Sequence, residues 1–231
     1  MSEGADLGEI LAPEVLARRV ELPRKPAAVD LAGTHVTLRP LDLARDVGAL
    51  HRASCGEALR VGDRSCDAYD ADALVWRYMG AGPFADAEAL GAVLREQLDS
   101  PDGTPLTVLD AATSTPVGVV NYLANHPEHL KIELGAIWYS PVVQRSSANA
   151  EATYLLLRHA FGLGYRRIEW KCDSKNERSR RAALRMGFVF EGIQQAHYIV
   201  KGRNRDTAWY RMLADEWLAA SERLKALIRS A

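Results

Sequence analysis

Between Pro105 and Tyr139 three short segments, PLTVLDA, PVGVVNYLAN and KIELGAIWY, follow one another across the turn-formers ATSTP and HPEHL. Each is too short for a helix of normal length, and each carries the β-branched and aromatic residues of a strand, so the run reads as an antiparallel meander. The chain after Tyr139 restricts the fold further. A helical pattern spans about Ser147 to Leu163, RRIEWKCD reads as a strand, Asn176 to Met186 reads as a second helix stopped by Gly187, and two strands joined by KGRN close the block. Strands alternating with helices in this order form one mixed, mostly antiparallel central sheet with helices on both faces, an α/β domain.

Upstream, THVTLRPL reads as a strand ending at Pro40, Asp42 caps a helix to about Ser54, and Asp86 opens another carrying Leu90, Val93, Leu94 and Leu98 on one face. From Gly56 to Pro83 no period is sustained, and the segment reads as a long loop with a short helix. The expected division is an N-terminal helix and linker over 1–33, the domain over 34–217 and a helical tail over 218–231.

Charge narrows the partners. The 231 residues carry a formal net charge of −1, so no global field draws the chain to nucleic acid or membrane. Tyr165 to Arg211, however, holds twelve Lys/Arg against five Asp/Glu, and an anionic ligand would prefer that third. The three cysteines, Cys55, Cys66 and Cys172, lack metal-ligand spacing, and the pair His126 and His129 in HPEH has no third ligand, so no metal is expected. No apolar run approaches the ~18 residues of a membrane span, and the first residues do not read as a signal peptide. The expected location is cytoplasmic.

The strand KIELGAIWY, the connection SPVVQRSSANA and the next helix form a unit whose helix N-terminal amides suit phosphate. This unit, the Asn-x-x-Ser of Asn176 and Ser179, then MGFVFEG and KGRNRDTAWY, resemble in order the GNAT superfamily of acyl-CoA-dependent N-acyltransferases, most closely its branch of ribosomal-protein N-terminal acetyltransferases. The likeness covers about Thr34 to Trp217. It implies a splayed strand pair, with acetyl-CoA as co-substrate lying along Ile137, Trp138 and Tyr139. The loop Gln144, Arg145, Ser146, Ser147, Ala148, Asn149 and Ala150 would wrap the pyrophosphate, and Asn176 would contact the pantetheine. The chain departs from the family in having no glycine in that loop, where the side chains of Arg145, Ser146 and Ser147 offer compensating donors.

Acetyl transfer to an amine needs a base for the amine, a donor for the oxyanion and a proton for the leaving thiolate. His197, where related enzymes place a carboxylate, is the first candidate base, with a hydrogen-bonded strand residue as the alternative; Glu133 is the second, its facing undetermined. By resemblance Ser179 can protonate the CoA sulfur, with a helix cap as the other reading. Arg178, Arg180, Arg181 and Arg185 read mainly as a solvated helix face, one or two of them meeting CoA phosphates. Trp76, Tyr78 and Phe84 are candidates for the mouth of the acceptor site, against packing in a satellite core. The expected activity is transfer of acetyl from acetyl-CoA to a primary amine, on a small molecule or a protein N-terminus, by direct attack in a ternary complex, including detoxification or resistance. The alternative is a non-catalytic CoA-binding module. A homodimer is left open.

Overall fold

The computed structural model describes residues 8–230. Ten strands and six helices follow the order α1 (Pro13–Glu21), β1 (Leu31–Ala32), β2 (Val36–Pro40), α2 (Leu43–Arg52), β3 (Leu59–Val61), β4 (Arg64–Cys66), α3 (Ala87–Asp99), β5 (Thr104–Asp110), β6 (Pro116–His126), β7 (Lys131–Tyr139), α4 (Ala148–Gly162), β8 (Arg167–Asp173), α5 (Glu177–Met186), β9 (Val189–Val200), β10 (Arg203–Leu213) and α6 (Trp217–Arg229). Eight strands form one sheet in the order β1-β2-β5-β6-β7-β8-β10-β9, antiparallel except for β7–β8. This is the mixed, mostly antiparallel sheet that the sequence predicts. The N-terminal helix expected within 1–33 runs from Pro13 to Glu21, and the missing N–H of Pro13 costs nothing in a first helical turn; residues 1–7 lie outside the described residues.

Short-range chemistry sets the helix ends. The side chains of Asp42, Asp86 and Asn176 accept from the backbone N–H three residues on, at 3.0, 2.8 and 3.2 Å, and Gly187 ends α5 in the left-handed region at φ 101°. Alternation sets the faces. Ile132, Leu134, Ile168, Trp170, Ala208, Tyr210 and Met212 enter one core with α4, α5 and α6, while Leu41, Leu50, Trp76, Leu90, Leu94, Val119 and Trp138 form a second core with α2 and α3 on the other side. On that second side the helices cover β5 and β6 and leave β7, β8 and β10 open for a site.

The expected long loop from Gly56 to Pro83 contains a hairpin, β3–β4, turning at Gly62 (φ 57°), and one wide turn over Asp72–Trp76 closed by Arg77 N–H onto the Asp72 carbonyl at 2.7 Å. Strands of three residues are too short to show a period, which is why the sequence reads there as irregular. The stretch before Thr34 is tied to the domain: β1 pairs with β2, and the buried Glu151 carboxylate of α4 accepts the N–H groups of Thr34, His35 and Val36 at 2.8, 2.6 and 2.8 Å.

Candidate active site

β7 and β8 pair only from Lys131–Arg167 to Leu134–Trp170. Beyond that point both strands continue, to Tyr139 and Asp173, without pairing to each other. On the far side β7 stays paired with β6, but its register slips at Ala136, which sits at φ 47°, and buried Asn121 donates to the Ala136 carbonyl at 3.3 Å. A bulge of this kind twists the strand and re-aims its amides. The strands thus part like a V, and a cleft of about 710 Å³ runs through the opening, within the size range of small-ligand sites.

Glu133 faces this cleft, because its neighbours Ile132 and Leu134 are committed to the core behind the sheet. Its carboxylate meets Lys171 Nζ at 2.7 Å, and Lys171 also lies 3.6 Å from Glu169 and 3.8 Å from the centroid of the Trp209 ring. Burial pushes the Glu133 carboxyl above the usual range; Lys171 opposes the shift without cancelling it, and Glu169 adds to it. Glu169 goes the other way. Its own burial is outweighed by hydrogen bonding from Arg167 and by the charges of Lys131 and Lys171, so it is held below the usual range. One buried carboxyl of raised pKa beside another kept ionised is an arrangement common at functional sites.

On the opposite lip Asn176 caps α5 and Ser179 follows one turn later. Ser179 Oγ accepts from Trp170 Nε1 at 3.0 Å and also hydrogen-bonds with Cys172, and Ser179, Asn176 and Cys172 all line the cleft. Burial raises the Cys172 thiol, which keeps it protonated and inert.

At the far end of β7 the chain turns through Pro141–Val143 into the loop before α4. Arg145 takes the left-handed conformation, φ 63°, that glycine would adopt freely. The hydroxyls of Ser146 and Ser147 are donated to the carbonyls of Val143 (2.6 Å) and Ile228 (3.0 Å), and Gln144 Nε2 reaches the carbonyls of Tyr139 and Leu74. Among the described residues the exposed Arg145 guanidinium has no partner, and the amides of Asn149 and Ala150 lie in the first turn, without a carbonyl within the helix. Of the α5 arginines, Arg178 donates to the carbonyls of Ala73 and Leu74, Arg180 to Tyr210 Oη and the Ser174 carbonyl, and Arg181 pairs with Glu177.

Trp76, Tyr78 and Phe84 all line the cleft. Trp76 is also core: it packs against Phe84 and Trp138 with centroids 4.9 and 5.1 Å apart and donates Nε1 to the Ser54 carbonyl. Ile137 and Trp138 line the cleft, whereas Tyr139 and the loop 144–150 lie beyond its lining. His197 is not among the lining residues; its ring stacks on Tyr198 at 3.8 Å and lies 5.8 Å from Trp209. Lys171, Tyr198 and Arg205 do line it, and sequence reasoning passed over them. No local motif marks these residues, which meet only through the register of β8, β10 and β9.

A family profile described as an acetyltransferase (GNAT) domain matches residues 35–189. Among solved structures the chain is similar to a GCN5-related N-acetyltransferase from Brucella melitensis, with 35% identity over 90% of this chain and 89% of that one at a TM-score of 0.78. It is also similar to a GNAT-family acetyltransferase from Chromobacterium violaceum ATCC 12472, with 36% identity over 84% and 90% and a TM-score of 0.73. A chimera of the Vibrio cholerae and hSSAT spermidine N-acetyltransferases shares the fold, with a TM-score of 0.60 at 20% identity over 80% of this chain and 99% of that one. The search of curated proteins gave no match. The chain belongs to the GNAT family of acetyltransferases.

Proposed function

We propose that the protein moves an acetyl group from acetyl-CoA to a primary amine by direct attack in a ternary complex, without a covalent enzyme intermediate. The observation that carries this is the parting of β7 from β8 at Leu134 and Trp170, with Glu133 on the floor of the resulting cleft and Ser179 on its lip. The free edge of β7 beyond Leu134 offers backbone groups to the amide-rich pantetheine, as a sheet edge offers them to an added strand. The first-turn amides of α4, with Arg145, would meet the pyrophosphate. Amides near the bulge, at Ile137 and Trp138, would donate to the oxyanion. Glu133, directly or through water, would take the amine proton; its raised pKa brings it nearer to working pH, where a general base is most efficient. Ser179 would return a proton to the departing sulfur.

The glycine-poor loop favours a second reading, a non-catalytic CoA-binding module, because the Ser146 and Ser147 hydroxyls are engaged by backbone carbonyls. Free thiol released from acetyl-CoA, and its acceleration by amines, separates the two. Likeness to the branch acting on ribosomal-protein N-termini makes N-terminal peptides one arm of an acceptor screen, read by mass spectrometry as the gain of one acetyl group. Small amines, including antibiotics, are the other arm.

Acetyl-CoA at about 100 times its Kd is expected to stabilise the fold by about 2.7 kcal/mol. For a chain of this size that is a rise in melting temperature of about 5–10 °C. No shift at millimolar concentration would remove both readings. Ser179→Ala is expected to cut kcat about tenfold or more while acetyl-CoA affinity stays within about twofold, because a proton given to the leaving group acts mainly in the transition state. Ser179→Thr, which keeps the hydroxyl, should recover part of the rate; a lowered melting temperature with unchanged kcat would leave Ser179 a structural partner of Trp170.

A further inference from the structure

The cleft wall opposite α3 is built by the β9–β10 hairpin, and Arg205 stands on it. Among the described residues this guanidinium has neither a carboxylate partner nor a hydrogen bond. Its Cζ lies 5.6 Å from the Tyr198 ring centroid, and its Nε is buried without an acceptor. The nearest acids on the hairpin are occupied: Asp206 accepts from Ala196 N–H and Asn204, and Glu191 is held by Arg167 and Arg211. Glu133 is taken by Lys171, and Glu96, which lines the cleft from α3, is exposed and makes no ion pair among the described residues. Three further buried polar atoms of the same hairpin, His197 Nδ1, Thr207 Oγ1 and Trp209 Nε1, lack partners but lie outside the cleft lining. Buried polar groups in native proteins are nearly always satisfied, so an orphaned guanidinium nitrogen on the wall of a cleft signals a ligand that completes it. A guanidinium without a counter-ion calls for an acceptor bearing negative charge.

The geometry points to an anion subsite on the β9–β10 hairpin, centred on Arg205, that selects acceptors carrying a carboxylate or phosphate beside the amine. This inference rests on the acetyltransferase reading and narrows its acceptor. The amine would lie by Glu133 and the anionic group by Arg205, whose charge is close enough to be felt at Glu133. The donor's own phosphates are placed elsewhere by that reading, at α4. Polyamines, having no anion to offer, would leave Arg205 facing a second cation.

The test uses the full chain, Arg205→Met, which keeps the aliphatic stem on Tyr198, and Arg205→Lys, which restores a cation. Acceptors are amino acids as free acid and as amide, phosphoethanolamine against ethanolamine, and spermidine; the two pairings tell carboxylate from phosphate. The wild type should prefer the anionic member of at least one pair by about tenfold or more in kcat/KM, the range expected of a charge-assisted hydrogen bond. Arg205→Met should abolish that preference with acetyl-CoA affinity unchanged, and Arg205→Lys should restore part of it. A wild type that favours amides or spermidine overturns the subsite, as does a preference that survives in Arg205→Met. If no amine accelerates thiol release, the transferase reading fails. The subsite is then judged by binding alone, from the melting shift that each acid gives wild type and Arg205→Met in the presence of CoA. A shift that depends on Arg205 supports it, and no shift or an equal one overturns it.

Discussion

Glu133→Gln is expected to slow acetyl transfer by about 10²–10⁴-fold, the usual worth of general-base assistance, with acetyl-CoA affinity within about twofold. Glutamine keeps the shape and the bond from Lys171 but cannot take a proton. The rate of the wild type at subsaturating acceptor should fall as pH drops through the raised pKa of Glu133, since only the carboxylate accepts. Glu133→Gln should lose that limb, while the limb set by the amine remains; an acceptor of lower amine pKa tells the two apart. Stability carries the opposite sign. Because burial raises the folded-state pKa of Glu133, its contribution to stability is present below the unfolded carboxyl pKa and is lost as pH rises through the folded one. The Gln variant should therefore gain on the wild type at neutral pH in urea titrations. His197→Ala is expected to cost less than Glu133→Gln for every acceptor. If the order is reversed, the imidazole is the base and Glu133 is a structural charge beneath the cleft.

Much of this architecture was legible because it follows from short-range rules. Asp42, Asp86 and Asn176 mark their helices, and the bounds of β5, β6 and β7 follow from turn-formers and alternation. The facing of Glu133 was undetermined in the sequence only because nothing local says which side of β7 is core; burial of Ile132 and Leu134 against α4 decides it. His197 illustrates a different obstacle. Counting in twos along β9 fails between Phe190 and Gly192, where one extra residue enters the pairing with β10, and two more enter between Gln194 and Tyr198, around Ala196 at φ 49°. The one-residue slip at Glu191 sends the side chains after it to the other face, and in the register that follows Tyr198 opposes Arg205 and lines the cleft while His197 does not. Lys171 and Arg205 are 34 positions apart, and only the insertion of β10 between β8 and β9 brings them to one cleft.

The second large effect lies beneath the other wall. Asp46→Ala is expected to cost about 3–5 kcal/mol, the usual penalty for removing one member of a buried charge cluster, and so to lower the melting temperature by about 6–20 °C. Asp46 is fully buried on α2, and its carboxylate accepts from Arg39 of β2 at 2.6 Å, Arg45 Nε at 2.9 Å, Thr107 Oγ1 of β5 at 2.8 Å and the Asp42 N–H at 3.1 Å. One side chain therefore clamps α2 to two strands. Burial alone would raise its pKa, but the bonds from Arg45, Asp42, Thr107 and Arg39 outweigh it and hold the carboxyl down at about 2. The sign of the pH dependence is set by this: a depressed pKa gives stability that is present above the unfolded value near 3.8 and is lost as pH falls through about 2. Wild type should lose stability across that window more steeply than Asp46→Asn, which has no carboxyl to protonate. Since α2 packs on α3, whose Leu90, Val93 and Leu94 wall the cleft, acetyl transfer in Asp46→Ala should fail on heating together with the fold. A melting temperature within about 1 °C of wild type, far short of the drop expected for loss of such a cluster, would show that Arg39, Arg45 and Thr107 find water or one another at no cost, and that the clamp on α2 is apolar.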